Sequence, residues 1–151
     1  MQINGIAHIQ LTVKNYEKCL PFYKKLLHFF EMTPILDGDG FYYCVGGKTG
    51  IAICKADKQF QNENFHQNRS GLHHFCFRLR SREDVEALYQ FVKKLDVKMI
   101  RKPQEDSHWA PGYYSILFED PDGIRIEANY VPGKGNLDPT VSLPKKWDIS
   151  Y

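Results

Sequence analysis

Between positions 6 and 13, IAHIQLTV, apolar and polar side chains alternate. Ala7, Ile9, Leu11 and Val13 share one face, and His8, Gln10 and Thr12 the other. A period of two predicts a strand with one face in the core and one polar face. The period then changes. Leu20, Tyr23, Leu26, Leu27 and Phe30 follow helical spacing over 16–30, with Asn15 placed to cap the first turn and Glu17 within it. Pro21 lacks the donor for the Glu17 carbonyl, so a kink or restart is expected there. After the Asp37-Gly-Asp-Gly40 turn signal, Phe41–Val45 and Ile51–Lys55 read as strands joined through Gly46–Gly50.

Residues 56–70 are polar and aperiodic, and read as a linker. Beyond it the opening pattern returns. GIAHIQLTV at 5–13 aligns with GLHHFCFRL at 71–79 at a constant offset of 66, pairing Gly5 with Gly71 and His8 with His74. Each copy leads into a helix. In the second, Ser81 is the cap and Val85, Leu88, Val92 and Leu95 form the buried stripe. A loop is expected from Arg101 to Gly112, then a strand at Tyr114–Glu119, a turn at Asp120–Gly123 and a returning strand at Ile124–Asn129. Residues 132–151 form a Pro- and Gly-containing tail. One domain over 1–151 follows, of α+β class. It divides into a module at 3–55, a linker at 56–70, a second module at 71–131 and the tail at 132–151, with helices outside a curved mixed sheet whose concave face is a polar cup.

Composition narrows the function classes. The 151 residues include 42% apolar and 25% charged residues, as in globular domains. Twenty basic against eighteen acidic residues leave a charge of +2 without a basic block, so no nucleic-acid partner is expected. No apolar run reaches the roughly 18 residues of a membrane span, and the N-terminus reads as a strand. Cys19, Cys44, Cys54 and Cys76 form no CxxC pair, so free thiols and a cytoplasmic location are expected.

The candidate chemistry lies on the polar strand faces. His8 stands with Gln10 and Thr12, His74 with Cys76 and Arg78, and Glu127 with Arg125 and Asn129. A single strand histidine is ordinarily satisfied by a backbone partner. Two at one register of a repeat, with a period-matched carboxylate, make a set of two imidazoles and one carboxylate suited to a divalent metal. By the same periodicity His73 points to the face opposite His74.

GIAHIQLTVKNYEKCLPFYKKLL, GLHHFCFRL and YYSILFEDPDGIRIEANY resemble the vicinal oxygen chelate superfamily over about residues 3–131. That superfamily includes glyoxalase I, extradiol dioxygenases, methylmalonyl-CoA epimerase and the fosfomycin and bleomycin resistance proteins. The resemblance implies paired βαβββ modules closing around a divalent ion, either Fe, Mn, Zn, Ni or Co. It places the ligands on His8, His74 and Glu127. The fourth ligand of glyoxalase I falls on Ala52, a departure from that enzyme and from the epimerases.

The implied activity is a glyoxalase-like lyase or isomerase acting on a small oxygenated metabolite through enolate or alkoxide stabilisation. An extradiol Fe(II) dioxygenase, a thiol transferase and a non-catalytic small-molecule-binding or drug-resistance protein are the alternatives. Gln10, Arg78 and Arg125 are candidate substrate contacts, the arginines for an anionic group. His108 and Tyr113, in the SHWAPGYY loop, are candidate acid/base residues. A homodimer is expected, since open sheet edges need cover.

Overall fold

The computed structural model describes residues 1–141. The chain forms two compact units, Met1–His66 with Asp120–Ile124, and Gln67–Glu119 with the chain from Arg125. Each unit carries one four-stranded mixed sheet and one α-helix.

In the first unit the order is β1 (His8–Val13), α1 (Tyr16–Phe29), β2 (Thr33–Gly38), β3 (Phe41–Gly46) and β4 (Thr49–Lys55). The sheet runs β1-β4-β3-β2, with β1 parallel to β4 and the other pairs antiparallel. Alternation on β1 works as the pattern predicts: Leu11 and Val13 are buried, whereas His8, Gln10 and Thr12 are exposed. Asn15 caps α1, its side chain accepting from the Lys18 amide at 3.2 Å. The helix continues through Pro21 instead of restarting. Pro21 and Glu17 both lie on the exposed face, where water can satisfy the released Glu17 carbonyl. Gly47 and Lys48 link β3 to β4 with φ of 56° and 66°, the two left-handed positions of a type I′ hairpin.

The second unit repeats the order with β5 (Phe75–Arg78), α2 (Arg82–Val92), β6 (Met99–Glu105), β7 (Tyr114–Glu119) and β8 (Arg125–Tyr130). Its sheet runs β5-β8-β7-β6, again with one parallel pair, β5 with β8. Ser81 caps α2 by accepting from the Asp84 amide at 3.1 Å. Val85, Leu88 and Val92 are fully buried, as are Ile116, Phe118 and Ile126 on the strands.

Two strands lie where the sequence pattern shows none. β2 replaces an expected connection, and β6 occupies the start of the expected 101–112 loop. Each half has three strands after its helix, the βαβββ order that the resemblance implies. Segment 56–70 contains a short 3-10 turn at Lys58–Phe60. All four cysteines are free thiols. Among the described residues, no helix is long and apolar enough to cross a membrane. The expectation for the tail beyond residue 141 lies outside the described residues.

Candidate metal centre

Cross-strand register assembles the polar face of the second sheet. Glu127 on β8 stands opposite Cys76 on β5 and Leu117 on β7, and Leu117 in turn stands opposite Arg101 on β6. Tyr113, just before β7, shares the Leu117 face by period two. His74 lies just ahead of β5.

On this face Glu127 is 7% exposed and fully partnered. Its Oε1 accepts from the Tyr113 hydroxyl and from Arg101 Nη2, each at 2.9 Å. Its Oε2 lies 3.1 Å from His74 Nε2. Burial opposes ionisation of Glu127. Hydrogen bonds from His74, Ser115 and Tyr113 and the charge of Arg101 outweigh it, and the pKa falls to about 2. Burial is also the main reason that the Tyr113 phenol is pushed above its ordinary value, with Cys76 and Glu127 adding to it. Tyr113 therefore remains a hydroxyl donor at neutral pH.

The backbone holds Tyr113 in place. Its carbonyl accepts from the Asp106 amide at 2.8 Å, and its amide donates to the Ala110 carbonyl at 2.9 Å. Gly112 precedes it at φ 69°, where a Cβ would stand 2.8 Å from the Pro132 ring, so this position needs glycine twice over.

A cavity of about 120 Å³ opens on His74 and Glu127, with His73, Arg101, Trp109 and Arg125 in its wall. Arg125 Nε lies 3.5 Å from Glu119 Oε1. Arg101 Nη2 also donates to Ser115 Oγ at 2.5 Å, while Arg101 Nε is buried without a hydrogen-bond partner among the described residues. A second, larger cavity of about 840 Å³ lies beside Trp109 and His108. It contains neither His74 nor Glu127.

The sequence-derived candidates divide between the two units. His74, Glu127, Tyr113 and Arg125 gather at the small cavity. His108 lies on the larger one, largely exposed, with Nδ1 against Asp106 Oδ1. Arg78 is exposed, opposite Asn129, and does not line the small cavity. His8 and Gln10 belong to β1 in the first unit. There Gln10 stands opposite Ala52 and its amide lies 3.6 Å from Cys54 Sγ. Among the described residues, no cluster of three or more His, Cys, Asp or Glu is arranged to hold a metal ion.

His73 corrects the sequence reading. It lines the same cavity as His74, with 2.7 Å between the two Nδ1 atoms. Regular strand structure begins only at Phe75, and Gly71 has φ of 130°, so strict alternation does not reach residues 73 and 74. Arg101 is the other residue that periodicity missed. A register shift between Met99 and Arg101 sets Met99 opposite Phe118 but Arg101 opposite Leu117. This bulge turns Arg101 onto the Glu127 face.

The donor chemistry fits a divalent ion. Two ligand atoms each about 2.1 Å from one ion stand roughly 3.0–3.4 Å apart at octahedral or tetrahedral angles. The observed 3.1 Å between His74 Nε2 and Glu127 Oε2 lies in that interval. Oε1 is already held by Tyr113 and Arg101, which fixes the carboxylate as outer partners of a ligand do.

Residues 5–128 match the Glyoxalase/Bleomycin resistance protein/Dioxygenase superfamily. The chain belongs to this superfamily. A relative in Bacillus subtilis strain 168, YqjT, is 30% identical over 131 residues, covering 80% of this chain and 94% of its own. The metallothiol transferase FosB of Staphylococcus epidermidis is 28% identical over 127 residues, covering 84% of this chain and 82% of its own. Among solved structures, a putative glyoxalase from Bacillus halodurans superposes with a TM-score of 0.72 at 27% identity, covering 85% of this chain and 96% of its own. The superfamily match spans both βαβββ modules and ends one residue beyond Glu127.

Proposed function

We propose that the protein is a divalent-metal-dependent enzyme of the glyoxalase-like lyase or isomerase type, acting on a small anionic, oxygenated substrate. The observation that carries this reading is the Glu127 carboxylate, ionised and held at Oε1, with Oε2 turned to His74 Nε2 at 3.1 Å. His74 and Glu127 would hold the ion, with His8 as the third donor. Bound there, a divalent ion supplies positive charge to a substrate oxygen on which negative charge develops.

The chain's own groups supply the rest. Arg101 and Tyr113 keep Glu127 oriented and ionised. Arg125 in the cavity wall offers donors to a substrate anion. Tyr113 holds its proton as a hydrogen-bond donor. His108, with Nδ1 engaged by Asp106, is left with Nε2 for proton exchange at the larger cavity.

A second reading, thiol transfer to a small anionic electrophile, is favoured by the likeness to metallothiol transferases at 28% and 26% identity. Ala52, where glyoxalase I carries a ligand, agrees with it. The test is turnover by protein reconstituted separately with Zn(II), Ni(II), Mn(II), Co(II) and, anaerobically, Fe(II). The substrates are a hemithioacetal of methylglyoxal, a thiol with an anionic epoxide, and a catechol with dioxygen. Isomerisation of the hemithioacetal is expected. Thiol addition alone would select the second reading, ring cleavage alone a dioxygenase, and no turnover with any ion would overturn the enzyme reading.

A further inference from the structure

We propose that Trp109 is the size-selecting residue of the site. It walls the small cavity off from the larger one, and so restricts what the small cavity holds to a compact anionic head, of the size and class of a short 2-hydroxy acid. This rests on the reading of the small cavity as the substrate site. Trp109 is the one described residue that lines both cavities. On one side is the space of about 120 Å³ that holds His74, Glu127 and Arg125, and on the other the space of about 840 Å³ beside His108.

The two volumes decide what each cavity can take. A pocket that encloses a drug-sized ligand measures roughly 300–1,000 Å³. The larger cavity lies within that range and the smaller one well below it. A carboxylate with one oxygenated carbon beside it is small enough for the latter, whereas an aryl group on that carbon needs more room. Charge sets the sign of the head. Glu127 is already matched by Arg101 at 2.9 Å. Among the described residues Arg125 meets a carboxylate only through Nε, 3.5 Å from Glu119 Oε1, which leaves its two terminal nitrogens for an anion.

The wall is fixed at its backbone. The Trp109 amide donates to the Asp106 carbonyl at 3.1 Å, and the Trp109 carbonyl accepts from Asn136 Nδ2 at 2.8 Å. Asp106 closes the same loop by donating its amide to the Tyr113 carbonyl at 2.8 Å. The His108 ring lies against the indole, with centroids 4.8 Å apart. Anchored at both of its peptide groups, the indole is a partition and not a lid on a swinging loop. Cutting it back to a methyl group would open the small cavity toward the larger one. There Pro111, Pro132 and Val141 offer an added aryl ring an apolar surface.

The experiment is calorimetric titration of the zinc-saturated full chain with glycolate and with mandelate, which is glycolate carrying a phenyl ring on its 2-carbon. The proteins are wild type, Trp109→Leu, Trp109→Ala and Arg125→Ala. Wild type should bind glycolate at least about 10-fold more tightly than mandelate, and Trp109→Ala should raise the mandelate-to-glycolate affinity ratio by at least about 10-fold, with Trp109→Leu between them. Wild type that takes mandelate as well as glycolate, or a ratio unmoved in both Trp109 variants, would overturn the partition while leaving the small cavity as the substrate site. Glycolate affinity unchanged in Arg125→Ala, or no glycolate binding by wild type, would instead overturn that reading and the proposal with it. If Trp109→Ala fails to fold, Trp109→Leu, which keeps an apolar group in the wall, decides by the same ratio.

Discussion

Removing the Tyr113 hydroxyl leaves Arg101 holding Glu127 Oε1 and lets the carboxylate turn about its last torsion. Tyr113→Phe should therefore lower divalent-metal affinity by about 10-fold without unfolding the protein, measured by calorimetric titration beside circular dichroism. Affinity equal to wild type would show that Arg101 alone fixes the carboxylate. At this scale the repeat register singles out His74, and alternation along the last strand singles out Glu127, as candidates without any knowledge of pairing. Arg101 was not legible. An unbulged strand in register at Met99 would put Arg101 on the α2 side of the sheet, and nothing in MIRKPQE signals the extra residue. His73 was hidden for a related reason, because alternation was carried two residues past the start of β5.

Elements differ in how strongly their own sequences announce them. Both helices carry a cap and a buried stripe, and were readable from spacing alone. β2 is an exposed edge strand, TPILDG, with a proline and a register shift between Pro34 and Leu36, so burial imposes no alternation on it. The turn between β7 and β8 was legible as Asp120-Pro-Asp-Gly123, but not the burial of its first carboxylate. Asp120 Oδ1 accepts from the amides of Asp122 and Ile124 at 2.9 and 2.8 Å, and Oδ2 accepts from the Tyr23 hydroxyl at 2.8 Å. Burial nevertheless dominates and raises its pKa from 3.8 to about 6.

A carboxyl whose folded pKa is raised binds its proton more tightly in the native state. Its ionisation therefore costs stability, progressively, as pH rises from about 4 through 6, by about 3 kcal/mol in all. Glu127 acts in the opposite sense and lower down. Its contribution is fully present above pH 4.5 and is lost as pH falls toward about 2. Asp120→Asn should be tolerated, because Tyr23 can turn its hydroxyl to accept from the amide. Urea denaturation of metal-free protein should show the variant gaining on wild type between pH 4.5 and 6. A constant difference across that interval would mean that Asp120 ionises normally.

For the whole molecule, the pair of βαβββ modules was readable because the chain repeats itself at a constant offset and resembles a family built that way. Assembly was legible only as an expectation. β1 and β2 end the first sheet, Ile35 and Leu36 on β2 are each more than half exposed, and Ile3 and Ile6 ahead of β1 are exposed too. Open edges with apolar side chains favour pairing with a second copy. Light scattering at micromolar concentration should give twice the chain mass, and a monomer would reject the dimer. The metal set is the most demanding expectation, since His8 stands on β1 of one unit while His74 and Glu127 stand in the other. The most direct test is calorimetric titration of metal-free protein with Zn(II) for wild type and for His8→Ala, His74→Ala and Glu127→Gln, each confirmed folded. One ion per chain is predicted for wild type, with at least about 100-fold weaker binding in every variant. No binding by wild type, or wild-type affinity in any one variant, would contradict a centre built on these three residues.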